Sequence, residues 1–378
     1  MGHKPKVLLL HSEISPYRLP LFEELSKHFD LHVYFCKPKA KGRLWGASTE
    51  GYSFKNKVLK SISVGPLIIN YLLPFELVFY NYQVYIIDDD PRLTLSKMSI
   101  FLMAKLLRKS IIIWSGVTED GYYGKTKNFV SKCLFAPVRR FTYQHVDAFL
   151  AYGHKTATFL TKNRVSPHKV HIATQAVPMD DFTPYLGHID KERLKKAMGF
   201  TDKKVILYVG YLIKRKGVAE LIEAFKQLNR DDTVLIIAGA GREASHIKSL
   251  AAGQENIYFP GYIEGTEKAR YYAIADIFVL PSYVDSWGLV INEAMMFGLP
   301  VITTTKVGAS ELIKDNGIII NPGDVVALKD AMKRMLDDDA LRYKMGVRSK
   351  EIIKDYTIQQ ATKTFVRVIH EVLMNANH

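Results

Sequence analysis

Short apolar runs alternate with amphipathic helical stretches along most of this chain, and that alternation restricts the fold more than any other feature. Residues 7–11, 31–35, 84–87, 111–114, 148–151 and 170–173 read as strands, and residues 20–28, 96–108 and 154–163 as helices between them. A strand that is apolar at nearly every position needs cover on both faces, which implies a parallel sheet sandwiched by helices. Pro178, Pro184 and Gly187 mark residues 179–190 as a linker. The pattern then restarts, with strands at 205–209, 234–238, 257–259, 277–280, 301–303 and 318–320. Helices fall at 218–228, 242–251, 266–273, 293–297 and 325–336. A chain of 378 residues exceeds one ordinary core. The expected architecture is α/β, with two doubly wound units at residues 1–183 and 191–357 and ligands at the carboxyl ends of the strands.

Composition bears on partners and compartment. The net charge is +14 and unevenly spread. Residues 1–190 hold 25 Lys+Arg against 15 Asp+Glu, a surplus of 10, whereas residues 191–378 hold 27 against 23, a surplus of 4. A basic N-terminal half suits anionic lipid or a phosphorylated substrate. Arg-rich helices and known nucleic-acid modules are missing from the sequence, so no nucleic-acid partner is expected. Cys36 and Cys133 lie in apolar contexts without paired spacing and read as reduced packing residues of a cytoplasmic protein. No apolar run reaches the roughly 20 residues needed to span a bilayer. The nearest, residues 62–87, is interrupted by Pro66, Asn70, Pro74, Glu76 and Asn81. It reads as a buried helix followed by a strand, with membrane-surface contact as the alternative. Asp88-Asp89-Asp90 reads as a strand-end loop, and no metal is expected.

Two stretches carry chemistry. Residues 285–302 follow a strand and place Asp285 at the mouth of a helix, with Glu293 about one turn inside it. Free N–H groups at a helix start attract anions, and Gly288 lets a ligand approach the backbone. An amide cradle between two carboxylates suits a phosphorylated sugar. Residues 208–217 end a strand at Gly210, continue through Tyr211 to Lys214-Arg215-Lys216, and open a helix at Gly217. Cations at such a turn can hold a diphosphate. A further glycine turn, residues 239–241, lacks the spacing of a dinucleotide fingerprint, because Ser245 breaks it.

These motifs closely resemble the acid-x7-acid signature of the retaining glycosyltransferases of family 4 (glycosyl transferases group 1), and the likeness spans most of residues 200–325. That family usually reads Glu-x-Phe-Gly-Leu, Glu-Ala-Met and Gly-x-Pro-Val. Here Asp285 replaces the first Glu, Trp287 the Phe, and Tyr211 the Arg of a Gly-Arg-Leu element. The resemblance implies the GT-B fold: two Rossmann-like domains facing a central cleft, an acceptor domain first and a donor domain second. It also implies that a final helix over residues ~358–378 packs back on the first domain. By the same resemblance Glu293 would bind donor ribose, Asp285 the transferred sugar, and Lys216 the leaving diphosphate. Gly210, Tyr211, Arg215 and the backbone of Trp287, Gly288 and Leu289 would meet sugar and diphosphate, with Gly261 and Tyr262 beside the base. The implied reaction is metal-independent and retaining. It moves a sugar from a nucleotide-diphosphate sugar to a hydroxyl of a glycan or lipid-linked acceptor, in cell-surface polysaccharide or glycoconjugate synthesis, without a cofactor. A nucleotide-sugar epimerase or an inactive binding subunit of the same fold is the alternative.

On the acceptor side, Ser15 and Arg18 follow the first strand, where relatives often carry Gly-Gly. Glu119 follows Ser115-Gly116, where relatives often carry a His. Basic residues between 37 and 60 and between 105 and 140, interleaved with aromatics, resemble the face with which relatives that elongate lipid-linked glycans touch the inner membrane. Each such residue near an anionic leaflet contributes about 1 kcal/mol. The expectation is a cytoplasmic protein, peripheral on the inner face of the cell membrane.

Overall fold

The computed structural model describes residues 4–38, 46, 48–65, 67–119, 136–187 and 189–376. Pro66, Cys133 and the basic positions Lys39, Lys41, Arg43 and Lys132 lie outside them. The chain divides into two compact units, Met1–Gln175 with Thr357–His378, and Ala176–Tyr356.

The first unit holds β1 (Lys6–Glu13), β2 (Asp30–Lys37), β3 (Lys55–Val58), β4 (Ile62–Val64), β5 (Leu67–Ile69), β6 (Val84–Asp88), β7 (Ser110–Ser115), β8 (Ala148–Ala151) and β9 (Val170–Ile172). Its helices are α1 (Leu19–Ser26), α2 (Leu73–Val78), α3 (Thr94–Leu106), α4 (Ala136–His145) and α5 (His154–Lys162). Seven strands form one sheet in the order β3-β2-β1-β6-β7-β8-β9, and every neighbouring pair is parallel. Alternate residues serve opposite faces: Leu8, Leu10, Tyr85 and Ile87 enter one core, and Val7, Leu9, Val84 and Ile86 the other.

The second unit repeats the plan with β10 (Lys204–Val209), β11 (Thr233–Ala238), β12 (Ile257–Gly261), β13 (Ile277–Leu280), β14 (Val301–Thr304) and β15 (Gly317–Ile320). Its parallel sheet runs β12-β11-β10-β13-β14-β15. The helices are α6 (Thr183–Leu186), α7 (Lys191–Ala197), α8 (Val218–Lys226), α9 (Ala244–Leu250), α10 (Gly265–Ile274), α11 (Leu289–Met296), α12 (Val325–Asp337) and α13 (Asp339–Ile353). The last helix, α14 (Ile358–Asn375), returns to the first unit. It buries Ala361, Phe365, Val368, Ile369 and Val372 in the Val7–Leu9 face. Each large apolar side chain so buried stabilises by about 1.5–3 kcal/mol. Phe365 meets Trp114 edge-on at 5.2 Å, and Ser110 Oγ donates to Val372 O at 3.1 Å.

In each sheet the strand order reverses beside the first strand. β1 lies between β2 and β6, and β10 lies between β11 and β13. Winding runs outward in both directions from there, so the loops leaving the two central strands diverge and open a crevice at their carboxyl ends. That topology selects residues 11–18 with 88–90 in the first unit, and 210–217 with 281–289 in the second.

Two sequence expectations need correction. The linker expected over 179–190 falls inside the second unit, which begins at Ala176, and it holds the short helix α6. Phe182, 3% exposed, inserts between Tyr272 (6.3 Å) and Phe297 (5.7 Å), so apolar burial outweighs the prolines around it. At its end Lys191 reaches Asp276 at 2.7 Å, and Lys195 reaches it at 3.0 Å. Burial raises the Asp276 pKa, but these ammonium groups outweigh that and hold it low. Within 62–87, read as a buried helix followed by a strand, the strand is β6, but the helix is only the short α2, and ahead of it β4 and β5 pair as an antiparallel hairpin. Phe75, Val78 and Phe79 on and after α2 are 67%, 65% and 82% exposed. Among the described residues no helix is long and apolar enough to cross a membrane.

Candidate functional site

The loops after β10 and β13 meet at the crevice of the second unit. Strand β10, with five consecutive buried residues, ends at Val209; the chain turns through Gly210 and Tyr211 into the 3₁₀ turn Lys214–Lys216. Gly217 follows with φ 71°, and a Cβ there would lie 2.2 Å from Pro281 O. Only glycine permits that approach, and it brings Lys216 against the β13 loop. Lys216, 7% exposed, forms a short ion pair with Asp285 Oδ2. Arg215 Nη1 donates to Val284 O at 3.0 Å, and Tyr283 N donates to Arg215 O at 2.8 Å.

Burial by itself would raise the Asp285 pKa; Lys216, Arg215 and the Trp287 N–H outweigh it and hold the carboxyl below its ordinary range. It is therefore ionised at neutral pH. Asp285 N donates to Lys306 O at 3.2 Å, and Gly308 N donates to Asp285 O at 3.0 Å, so the β14 loop braces this segment. Trp287 is buried with its indole N–H on Asn292 Oδ1 at 2.8 Å, and its carbonyl accepts from Ala309 N at 2.7 Å. Gly288 adopts φ 93° and caps α11, whose first turn has no side-chain cap and no acidic residue. The N–H groups of such a helix start can hold an anion.

Glu293 sits one turn into α11, 5% exposed. Lys268 Nζ donates to its Oε1 at 2.8 Å, and the Tyr272 hydroxyl donates to its Oε2 at 2.8 Å. Lys268 and Tyr272 stand four apart on α10 and so share a face. Tyr272 is fixed by a stack on Phe297, 5.4 Å between centroids. Its hydroxyl stays protonated, because burial and then the Glu293 charge push its pKa well up. A carboxylate has about four acceptor positions, so Glu293 retains capacity for two ligand hydroxyls while its orientation is set by two donors.

In the second unit the remaining sequence candidates follow β10 and β12 or open α11. Tyr208 OH donates to Tyr211 O at 3.0 Å, and Gly239 N donates to Gly261 O at 2.7 Å. Tyr262 is 39% exposed and donates to Glu264 at 2.8 Å. Leu289 opens α11. In the first unit Ser15 and Arg18 are 1% and 5% exposed at the end of β1. Glu119, its side chain 70% exposed, is ion-paired with Lys162 at 2.9 Å. Sequence reasoning missed Lys268 and Tyr272. Their spacing on α10 was visible, but their target lies 25 and 21 residues onward on another helix. Among the described residues no cluster of three or more His, Cys, Asp or Glu could hold a metal ion.

Residues 190–352 match the family model described as glycosyl transferases group 1. The second unit is a glycosyl transferases group 1 domain. An uncharacterized glycosyltransferase of Methanocaldococcus jannaschii is 30% identical over 259 residues, covering 66% of each chain. A Corynebacterium glutamicum protein, the GDP-mannose-dependent monoacylated alpha-(1-6)-phosphatidylinositol monomannoside mannosyltransferase, is 34% identical over 186 residues. That match covers 46% of this chain and 49% of the relative. The chain thus spans just under two thirds of the first of these curated relatives and about half of the second. Among solved structures, sucrose-phosphate synthase of Thermosynechococcus elongatus superposes with TM-score 0.77 at 17% identity, covering 98% of this chain and 100% of that one. Anabaena HepE in complex with UDP-glucose superposes with TM-score 0.76 at 14% identity, covering 97% and 99%. At such identities the likeness carries the fold alone. The group 1 domain and its N-terminal companion are two Rossmann-like units of the GT-B fold.

Proposed function

We propose that this protein is a retaining, metal-independent glycosyltransferase of family 4, moving a hexose from a nucleotide-diphosphate sugar to a hydroxyl of a glycan or lipid-linked acceptor. The observation that carries this reading is the pairing of buried Lys216 with half-buried Asp285 at the strand-order reversal, near the uncapped N-terminus of α11, with Glu293 one turn in. As the anomeric carbon separates from the diphosphate, negative charge grows on the departing oxygens. Lys216, Arg215 and the α11 N–H groups favour that charge more strongly in the transition state than in the ground state. Asp285 holds Lys216 until the diphosphate competes for the ammonium, and is then free to accept from sugar hydroxyls. Glu293 accepts the ribose hydroxyls.

Calorimetry with UDP-, GDP- and ADP-sugars tests the reading, followed by turnover with and without EDTA and analysis of product anomers. One donor binds, turnover survives EDTA, and the anomeric configuration is kept. No binding across the panel refutes the reading, and donor consumption with acceptor omitted and no transfer product replaces it with an epimerase.

The reading extends to work in cell-surface glycan synthesis on the inner face of the cell membrane. Its support is the surplus of ten positive charges in residues 1–190, together with exposed Phe75, Val78, Phe79, Leu102 and Leu106 on and beside α2 and α3. The full chain sediments with vesicles containing phosphatidylglycerol and is released by salt, because exposed charges are screened over about 10 Å at 0.1 M. Equal recovery in the supernatant with charged and neutral vesicles would remove this part.

A further inference from the structure

The helix α10 carries more than the two donors that orient Glu293. Tyr272 and Lys268, four apart, each donate to Glu293 at 2.8 Å. Four residues before Lys268 stands Glu264, the N-cap of α10, whose carbonyl accepts from Lys268 N at 3.3 Å. Residues four apart follow one another along a helix at about 6 Å per step. The two ends of this row differ. The Tyr272 end is closed: Tyr272 is fully buried, with Phe297 at 5.4 Å and Phe278 at 5.8 Å between ring centroids. The Glu264 end is exposed, beside the half-open ring of Tyr262. For a ribose held on Glu293, the open direction along the row is toward Glu264.

Glu264 is held in place but not used up. Its Oε2 accepts from the Tyr262 hydroxyl at 2.8 Å, and among the described residues no cation pairs with it. Its side chain does not cap α10. Burial and then the bond to Glu264 push the Tyr262 pKa up, so the phenol stays a donor and keeps the carboxyl group oriented. A carboxylate accepts and never donates, and its two oxygens suit a pair of parallel N–H groups. The bases answer that demand unequally. Uracil has one N–H, set between two carbonyl oxygens, and adenine has one amino group beside a ring acceptor. Cytosine likewise has one amino group beside a ring acceptor. Guanine has two adjacent donors, N1–H and the 2-amino group, which meet both carboxylate oxygens.

We propose that Glu264 reads the base of the donor and selects guanine, so that the donor is a guanosine-diphosphate sugar. The inference rests on the reading of Glu293 as the ribose acid and narrows the nucleotide of that same site. The Tyr262 ring offers a face to any base, because stacking is tolerant of base identity; the choice among bases falls to Glu264.

Calorimetry on the full chain tests it, with GDP, inosine diphosphate, UDP and ADP as probes. Inosine diphosphate is GDP without the 2-amino group, so it isolates one of the two bonds to Glu264. GDP binds about 10- to 100-fold more tightly than inosine diphosphate, the usual worth of one hydrogen bond to a charged group. It exceeds UDP and ADP by at least as much. Glu264→Gln removes the charge and turns an N–H₂ toward the base; GDP affinity falls about 10- to 100-fold, the gap between GDP and inosine diphosphate closes, and UDP binding stays within about threefold. The inosine comparison needs only the wild-type chain, so it stands if the variant fails to fold. UDP or ADP binding as tight as GDP, or a preference for GDP over inosine diphosphate that survives in the folded variant, overturns the role of Glu264 and leaves the donor site in place. Failure of all four nucleotides to bind overturns both, so the two failures are told apart.

Discussion

Replacing Lys216 with alanine is expected to lower kcat by about 10²–10³-fold, with a smaller change in donor KM. The ammonium is worth most where charge accumulates on the departing diphosphate, so its loss falls on the transition state. The variant also leaves the half-buried Asp285 carboxylate with weaker compensation. In the native protein Asp285 has a lowered pKa, so its contribution to folding is present above the ordinary carboxylate range near 3.8 and is lost as pH falls through the lower folded value. Without Lys216 the folded pKa rises, and the acid limb of the kcat/KM profile moves to higher pH. Lys216→Arg restores part of kcat. A pH-rate series on the three proteins checks this; a kcat within threefold of wild type for the alanine variant would remove Lys216 from the chemistry.

Glu293→Ala acts on binding. Hydrogen bonds to a charged partner contribute about 1.5–3 kcal/mol each, so losing two ribose contacts raises the donor Kd by a factor on the order of 100 or more. The substitution also removes the acceptor of the buried Tyr272 hydroxyl and the partner of Lys268, at a cost of about 1–3 kcal/mol in stability for the stranded hydroxyl. Melting curves taken with the titrations separate the two effects. Glu293→Gln keeps an acceptor for Tyr272 and loses the charge, so it recovers stability more than affinity. Donor titrations indistinguishable from wild type would place the ribose elsewhere. The two substitutions thus report different quantities, kcat for the β10 loop and Kd for α11.

The local code was readable where it had a period or a motif. Apolar runs located twelve of the parallel strands, missing only the edge strand β3, because a strand buried on both faces carries its signal within four to six residues. The 285–293 and 210–217 elements were legible as strand-to-helix turns because glycine interrupts the chain between an apolar strand and a helix in each, as β10–α8 and β13–α11 show. Within 62–87, read as a buried helix followed by a strand, the β4–β5 hairpin was missed because a short apolar run has no period long enough to separate a hairpin from a helix. Residues 179–190 were misjudged as linker because proline content is local, whereas the burial of Phe182 depends on Tyr272 and Phe297, some ninety residues or more away in sequence.

The sequence by itself determined two parallel α/β units and singled out the loops that follow the first and fourth strands of the second, with Lys216, Asp285 and Glu293 on them. Tertiary structure alone decided that Lys216 and Asp285 hold each other, that Lys268 and Tyr272 orient Glu293, and that Arg18 is buried among aromatic rings. Strand and helix propensities act between neighbours along the chain. Charge pairing and burial act between groups that only the folded sheet brings within a few ångströms.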